Sequence, residues 1–410
     1  MSYFPDVFGT SSVMRNAPFN FTYACGKAPF STTPCAGQYA LPDGGGVLSA
    51  GLPVPVFDIT RATDPTKYKG TSMNTIAFDM RSAYIEQFSL GLERAFRGNS
   101  FGLGYVGNLG RHIYAVVPIN QPVTNTAPYP IPSLPGVVII ESEPGSISRY
   151  HAMQATYEHL FTHGLTANAH WVWSHMITNT GVQEESARPV TCSFAGCLMD
   201  NPSDPSHPIT VNGWQQYDLG NGNIDTRHNI AGTLSWQIPY GSSFTGAAGQ
   251  VLKGWMVNAT GFWSTGIPST VTNGTAVSRI SGLSSDLPDM IASPVASHPT
   301  VQQWFNIAAF KKQTSGTLGN ERYSQVFGPH SREIDLALSK SFDLTELLKL
   351  QFRAESYNLT NTPSFDLPTS TITGYNASGV ATSAGGFGAV TSTNPFMHPR
   401  QNQFVMKLLF

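Results

Sequence analysis

The feature that most constrains this chain is an alternation of apolar and polar residues with a period of two, recurring from Ser82 to the C-terminus. Strands with two unlike faces produce that pattern, because successive side chains point to opposite sides of a sheet. Tyr84, Phe88, Leu90 and Leu92 share one parity, with Gln87, Ser89 and Glu93 on the other. After Arg97-Gly98-Asn99 the pattern repeats in Phe101, Leu103 and Tyr105. Met153, Ala155 and Tyr157 alternate with Gln154, Thr156 and Glu158. Beyond Thr162-His163-Gly164, Leu165, Ala167, Ala169, Trp171 and Trp173 oppose Thr166, Asn168, His170 and Ser174. Further sets are Ile230, Leu234, Trp236 and Ile238, then Trp255, Val257, Ala259 and Trp263, then Ile334, Leu336, Leu338 and Phe342. Leu348, Leu350, Phe352 and Ala354 follow, and Phe404, Met406, Leu408 and Phe410 close the chain. The spacing predicts nine strands of roughly 8 to 15 residues, against the 9 to 11 that a tilted membrane strand needs.

The links between these segments alternate in length. Short turns join strands one and two, three and four, and the pair before the last strand, and a moderate link runs around Pro239 to Gly254. Gly110 to Ser146, His175 to Arg227, Thr265 to Ser331 and Thr360 to Gln401 are long. Outer-membrane barrels have short periplasmic turns and long extracellular loops, so the alternation gives the chain a direction, with Phe410 on the short-turn side. Trp255 and Trp263 share a face eight residues apart, about 26 Å along a strand and roughly 20 Å across a tilted span. That separation suits two aromatic girdles, for which Trp171, Trp173 and Trp236 are further candidates; core positions of a soluble sheet are the competing reading.

Composition narrows the class. Charged residues are 12% of the 410, about half the usual globular share of roughly 25%. Gly (39) and Pro (29) supply turn chemistry for many connections. A net charge of −2 without a basic patch argues against nucleic acid as a partner. No apolar run of about 18 residues is present, which excludes a spanning helix and leaves a β-barrel open. The start, MSYFPDVFGTSSVMRN, has neither a basic region nor an apolar core of a secretory signal. Cys25 with Cys35 and Cys192 with Cys197 form two close pairs in loop-like segments and are disulfide candidates. A four-cysteine zinc site is the weaker reading, since neither pair has C-x2-C spacing.

Other motifs favour structural readings. Gly102-Leu103-Gly104-Tyr105-Val106-Gly107 matches a dinucleotide string but lacks the strand–helix context, so these glycines read as tight-packing strand positions. Asp218, Asn221, Asn223 and Asp225 are rich in oxygen but lack the EF-hand order, and loop polarity is the default over calcium. His151, His159, His163, His170 and His175 are irregularly spaced, which disfavours a metal site. Glu93, Glu158, Glu333, Asp335, Arg353 and Glu355 fall on polar strand faces, where a barrel would have its lumen. No nucleophile, base and orienting acid group together, so no catalytic residue, cofactor or metal ligand is assigned and the chain is not read as an enzyme.

Leu350 to Phe365, LQFRAESYNLTNTPSF, and the ending FGAVTSTNPFMHPRQNQFVMKLLF resemble the penultimate strand and final hairpin of the TonB-dependent receptors, in particular their Oar-like branch. YVGNLGRHIY with Asn120-Gln121-Pro122, SRYHAMQATYEHLFTHGLTANAHWVWSH, DTRHNIAGTLSWQIPYG, GWMVNATGFWSTGIP and WFNIAAF resemble successive blocks in family order. The resemblance implies a barrel of about 22 strands with a plugged lumen, coupled to the TonB system through a plug. It also implies that Phe404, Met406, Leu408 and Phe410 form the signal read by the barrel assembly machinery, by strand addition. No TonB box or plug sequence is recognisable, so the expectation is a truncated form. In it residues 1–81 are an extracellular-loop-like segment and 82–410 the C-terminal part of the barrel. The expected fold is all-β: an antiparallel up-and-down portion of about 9 to 11 long strands, open or incomplete, with two unpaired edges. Its partners would be outer-membrane lipid and an unknown large nutrient, carbohydrate or peptide, held by loops 176–226 and 266–330. The alternative is a secreted all-β glycan-binding protein or glycan-active enzyme, whose sheet faces would alternate in the same way.

Overall fold

All nine alternating segments are strands, and they lie side by side in the order of the chain. The computed structural model describes residues 72–410 apart from 79, 119, 121–127, 130, 180–209, 212–213, 216–218, 241–242, 275–286, 316–318, 346–347 and 396. The long strands are β2 (Tyr84–Phe96), β3 (Asn99–Pro118), β4 (Val138–Thr162), β5 (Leu165–Thr178), β7 (His228–Gln237), β8 (Trp255–Ser264), β9 (Ser331–Asp343), β10 (Lys349–Tyr357) and β11 (Gln401–Leu409). Two short strands complete an 11-stranded sheet: β1 (Ser72–Ile76), parallel to the start of β4, and β6 (Gly220–Asn221), beside the end of β5. Every neighbouring pair of long strands is antiparallel. Among the described residues the sheet does not close, and β2 and β11 are its two edges.

Register carries one face across all nine strands. Leu92 pairs with Leu103, Leu103 with Ala155, Ala155 with Trp171, Trp171 with Ile230 and Ile230 with Trp263. A second row runs from Trp236 through Val257, Leu338 and Ala354 to Phe404. A one-residue slip at any pairing would turn the following apolar set to the opposite side. The connections segregate as expected. Arg97–Gly98, His163–Gly164, the ends of β7 and β9, the starts of β8 and β10, and Phe410 occupy one rim, and the strand ends that the long links join lie at the other.

Two lengths differ from the sequence reading. Two residues suffice for the first two turns, because Asn99 and Thr162 still belong to their ladders. Both turn residues have positive φ in each case, Arg97 at 48° with Gly98 at 77° and His163 at 53° with Gly164 at 79°. This is the turn whose twist matches a hairpin. A Cβ on Gly164 would lie 2.1 Å from the Gln237 carbonyl oxygen, so glycine is required there by space as well as by φ. Strands β3 and β4 are 20 and 25 residues long, well beyond a membrane span. Their outer halves show no period of two in the sequence because register shifts at Gly110, Ile113 and Ala115 break the alternation and Val137, Ile139 and Ile147 are buried.

The apolar core lies outside the sheet. The described parts of links 265–330 and 358–400 fold against each other around Val271, Phe305, Ala309, Phe310, Val326, Ile372, Ala381 and Phe387. Phe305, Phe310 and Phe387 form a mutual edge-to-face trio with centroids 5.2 to 6.1 Å apart. Each such contact adds about 0.5–1.5 kcal/mol beyond area burial. Long loops that contribute whole aromatic side chains to a shared core behave as a packed unit at the rim.

Candidate functional site: two sheet faces and a loop unit

The apolar face is exposed along its length. Leu90, Leu92, Phe404 and Met406 are about 70% accessible, and Trp173, Ile230, Leu234, Ile334, Leu338 and Phe352 are also exposed. No described residue covers them. Register places Trp171, Trp173, Trp236, Trp255 and Trp263 all on this face, with Trp236 and Trp255 near the short-turn rim and the other three toward the long-loop rim. Trp171 and Trp173 stack on His228, at 6.0 and 6.3 Å. Each tryptophan of β8 lies directly across from a cation of β9: Trp255 from Lys340 and Trp263 from Arg332. Between those pairs the outer face of both strands holds only Val257, Ala259, Gly261, Ile334, Leu336 and Leu338.

The opposite face is polar. Asn168, His170, Thr233, Thr260, Glu333 and Asp335 line a shallow depression at its centre. Thr260 Oγ1 donates to Asp335 Oδ2 at 3.3 Å, and the second Asp335 oxygen accepts from the Asn358 amide at 2.9 Å. Arg353 pairs with Glu355, which also accepts from the Tyr357 hydroxyl at 3.0 Å. Glu93 accepts from Ser100 Oγ at 2.8 Å. Gly102 and Gly104 fall on this face inside β3, and Gly107 lies under the Phe88 ring, where a Cβ would meet ring carbons at 2.2 Å. These are packing positions in a strand.

At the long-loop rim, Asp225 and Arg227 form an ion pair at 2.8 Å. Arg227 Nη2 reaches His175 Nε2 at 2.9 Å and Asn221 Oδ1 at 3.0 Å. Asn221 Nδ2 donates to the Ser324 carbonyl at 2.7 Å, which ties this link to the loop unit. Asp225 therefore serves Arg227 and the Met176 amide, a structural role within the loop. Asp218 lies outside the described residues. Among the described residues no three His, Cys, Asp or Glu side chains gather as a metal site. His151 is held by the Tyr105 hydroxyl at 2.7 Å and His159 by Asn99 at 2.9 Å.

The loop unit buries one acid that sequence reasoning did not single out. Glu321 is fully buried: Oε1 accepts from the Val271 amide at 3.3 Å and Oε2 has no partner among the described residues. Burial pushes its carboxyl well above the ordinary range. Asp289, half-buried beside the Pro288 carbonyl that accepts from the Glu321 amide, is also raised by burial, against the opposing Asn320 amide and Lys311 charge. Asparagines organise the loop starts. Asn120 holds the Leu134 and Val137 carbonyls and the Ile131 amide, and Asn358, at φ 47°, holds the Thr362 and His398 carbonyls.

Phe404, Met406 and Leu408 share the outer face of the edge strand β11, and Phe410 follows it fully exposed. The disulfide candidates Cys25, Cys35, Cys192 and Cys197 lie outside the described residues.

A family model described as an outer membrane beta barrel domain matches residues 1–403. No curated protein matches the chain. Among solved structures, the chain is similar to the outer membrane transporter YddB from Escherichia coli, at 11% identity over 89% of this chain and 36% of that one, with a TM-score of 0.41. It is also similar to the FrpB iron transporter from Neisseria meningitidis, at 9% identity over 82% and 33% with a TM-score of 0.35. A mutant ferric enterobactin receptor PfeA from Pseudomonas aeruginosa gives 11% over 80% and 31%, with a TM-score of 0.34. The chain thus spans about a third of the length of these structures.

Proposed function

Because the chain belongs to the outer membrane beta barrel domain family and is a protein of the outer membrane, we propose that it forms barrel wall and outer loops of a TonB-dependent receptor for a large nutrient. The observation that carries this reading is the outer face, uncharged between the Trp255–Lys340 and Trp263–Arg332 pairs. Eight residues of strand separate them, about 26 Å along the strand and close to a hydrocarbon thickness after tilt. The five tryptophans then serve as two interfacial girdles, and the polar face lines the lumen. A secreted sheet would need to cover Leu90, Leu92, Phe404 and Met406, which stand open.

The long-loop rim faces outward in this reading, and the packed unit from 265–330 and 358–400 presents the ligand determinants. A carbohydrate or peptide suits a surface rich in Asn, Ser and Thr side chains. Energised uptake through a plug that meets the TonB system is the work of the whole receptor, to which the described strands supply wall and recognition surface. The β11 face of Phe404, Met406 and Leu408, with Phe410, is what the assembly machinery would capture.

The test is fractionation of cells expressing the full chain, followed by electrophoresis with and without heating. Recovery with outer membranes and heat-modifiable migration are expected. A soluble chain whose migration ignores heating would sink the proposal.

A further inference from the structure

The apolar face does not stop where the strands end. The link between β7 and β8 carries a seven-residue helix, α1 (Gly246–Leu252), at the short-turn rim. Two outer-face side chains hold its end: Trp255 Nε1 donates to the Val251 carbonyl at 2.9 Å, and Lys340 Nζ donates to the Lys253 carbonyl and, at 3.3 Å, to that of Ser341. Gln250 adds a third tie, to the Asp343 carbonyl at 3.2 Å. Since Trp255 and Lys340 both project on the outer side, α1 is drawn toward that side of the rim. Gly254, at φ 78°, makes the tight exit into β8, and a Cβ there would stand 2.7 Å from the Ser341 carbonyl oxygen.

The tethered segment exposes apolar side chains that no described residue covers: Phe244 at 52%, Val251 at 61% and Leu252 at 45%. The helix sequence GAAGQVL has no charge, and Lys253 follows it at once. We propose that residues 244–253 are an interfacial foot seated in the periplasmic phospholipid leaflet. Phe244, Val251 and Leu252 enter the boundary between headgroups and acyl chains, and the Lys253 ammonium meets lipid phosphate. An apolar helix face lying in the interface is buried roughly 5–10 Å into the boundary, with a flanking lysine head at the phosphate level. The segment adjoins the outer face of β8 and β9 through the ties of Trp255 to Val251 and of Lys340 to Lys253. Lysine at the phosphate level supplies the matching charge.

This inference rests on the barrel-wall reading, and one experiment separates the two. A fluorescent amino acid is introduced by codon suppression at position 244, 251 or 252 of the full chain, with Ile334 of the outer face and Thr233 of the inner face as reference positions. Each protein is reconstituted into vesicles of phosphatidylethanolamine and brominated phosphatidylglycerol. Quenching at 251 and 252 that matches position 334, and is roughly twofold or more above position 233, is expected. Quenching at 334 with 251 and 252 no higher than 233 overturns the foot and leaves the wall standing. Absence of quenching at 334 overturns the wall itself, and the foot with it.

Discussion

The Lys340 ammonium lies 5.7 Å from the Trp255 ring, on the side of the sheet where the neighbouring residues are all apolar. It is also 4.6 Å from the Phe342 ring and bonded to two backbone carbonyls, so a buried cation has found rings and oxygens in place of water. That is the behaviour of lysine at the margin of a membrane, where the stem follows the apolar surface and the head seeks polarity.

A charge midway between the two tryptophans of β8 has no such exit. Ala259→Arg, on the outer face opposite Leu336 and Leu234, is expected to destabilise the reconstituted protein by about 2–4 kcal/mol. Thr260→Arg, one residue on and beside Asp335, is expected to change it by about 0–1 kcal/mol. Urea titration in vesicles measures both, and equal losses would contradict the assignment of faces.

The edge position of β11 makes the last residue accessible for strand addition. Phe410→Asp is expected to lower the heat-modifiable fraction in outer membranes several-fold. Leu409→Ala, of the opposite parity, should leave it near the parent level. Unchanged assembly of the Phe410 variant would remove the proposed signal.

Glu321 makes the loop unit sensitive to pH. Its folded-state pKa is raised by burial, so below the ordinary value of 4.5 both states hold the proton and the contribution is complete. As pH rises past 4.5 the unfolded state releases its proton first, and stability falls until the folded-state value is passed. Amide exchange around Val271 and Phe310 is therefore expected to quicken from pH 4 to pH 8 in the parent chain. In Glu321→Gln, which retains an acceptor for the Val271 amide, the Glu321 share of that change disappears once intrinsic exchange is subtracted. Identical corrected profiles would count against the buried acid.

Asp225→Ala removes the carboxylate partner of Arg227, which keeps Asn221 and His175, and removes the acceptor of the Met176 amide. Arg227 is one-third exposed, so solvent screens part of the ion pair, and the expected loss is about 1–3 kcal/mol, mostly from the unpaired groups. Limited proteolysis should show cleavage near 220–227 well before the strands are touched.

The strands and the sidedness of their links were legible because both are local. Leu90 against Ser89 or Leu350 against Gln351 declares a face without reference to any other strand, and Gly164 declares a turn. The loop unit was not legible, since Val271 meets Ile372 and Phe305 meets Phe387 across separate links with no periodicity to connect them. The sequence marks Asp225 only as loop polarity because the arginine two residues on folds back onto it only once β7 begins. The pairing of Trp255 with Lys340 depends on register between β8 and β9, set by a whole ladder rather than by either residue. The outer halves of β3 and β4 were missed where bulges and burial erase the alternation.

Strand direction at the two edges of the sheet sets a rule of parity. Tyr84 and Gln401 both begin at the long-loop rim, and Phe96 and Leu409 both finish at the short-turn rim, so the edges run the same way. They cannot meet each other as antiparallel neighbours, in one copy or head to tail in two. Any set of strands that completes an all-antiparallel cylinder with this wall must be odd in number, and both of its outermost strands must run from the short-turn rim toward the long loops.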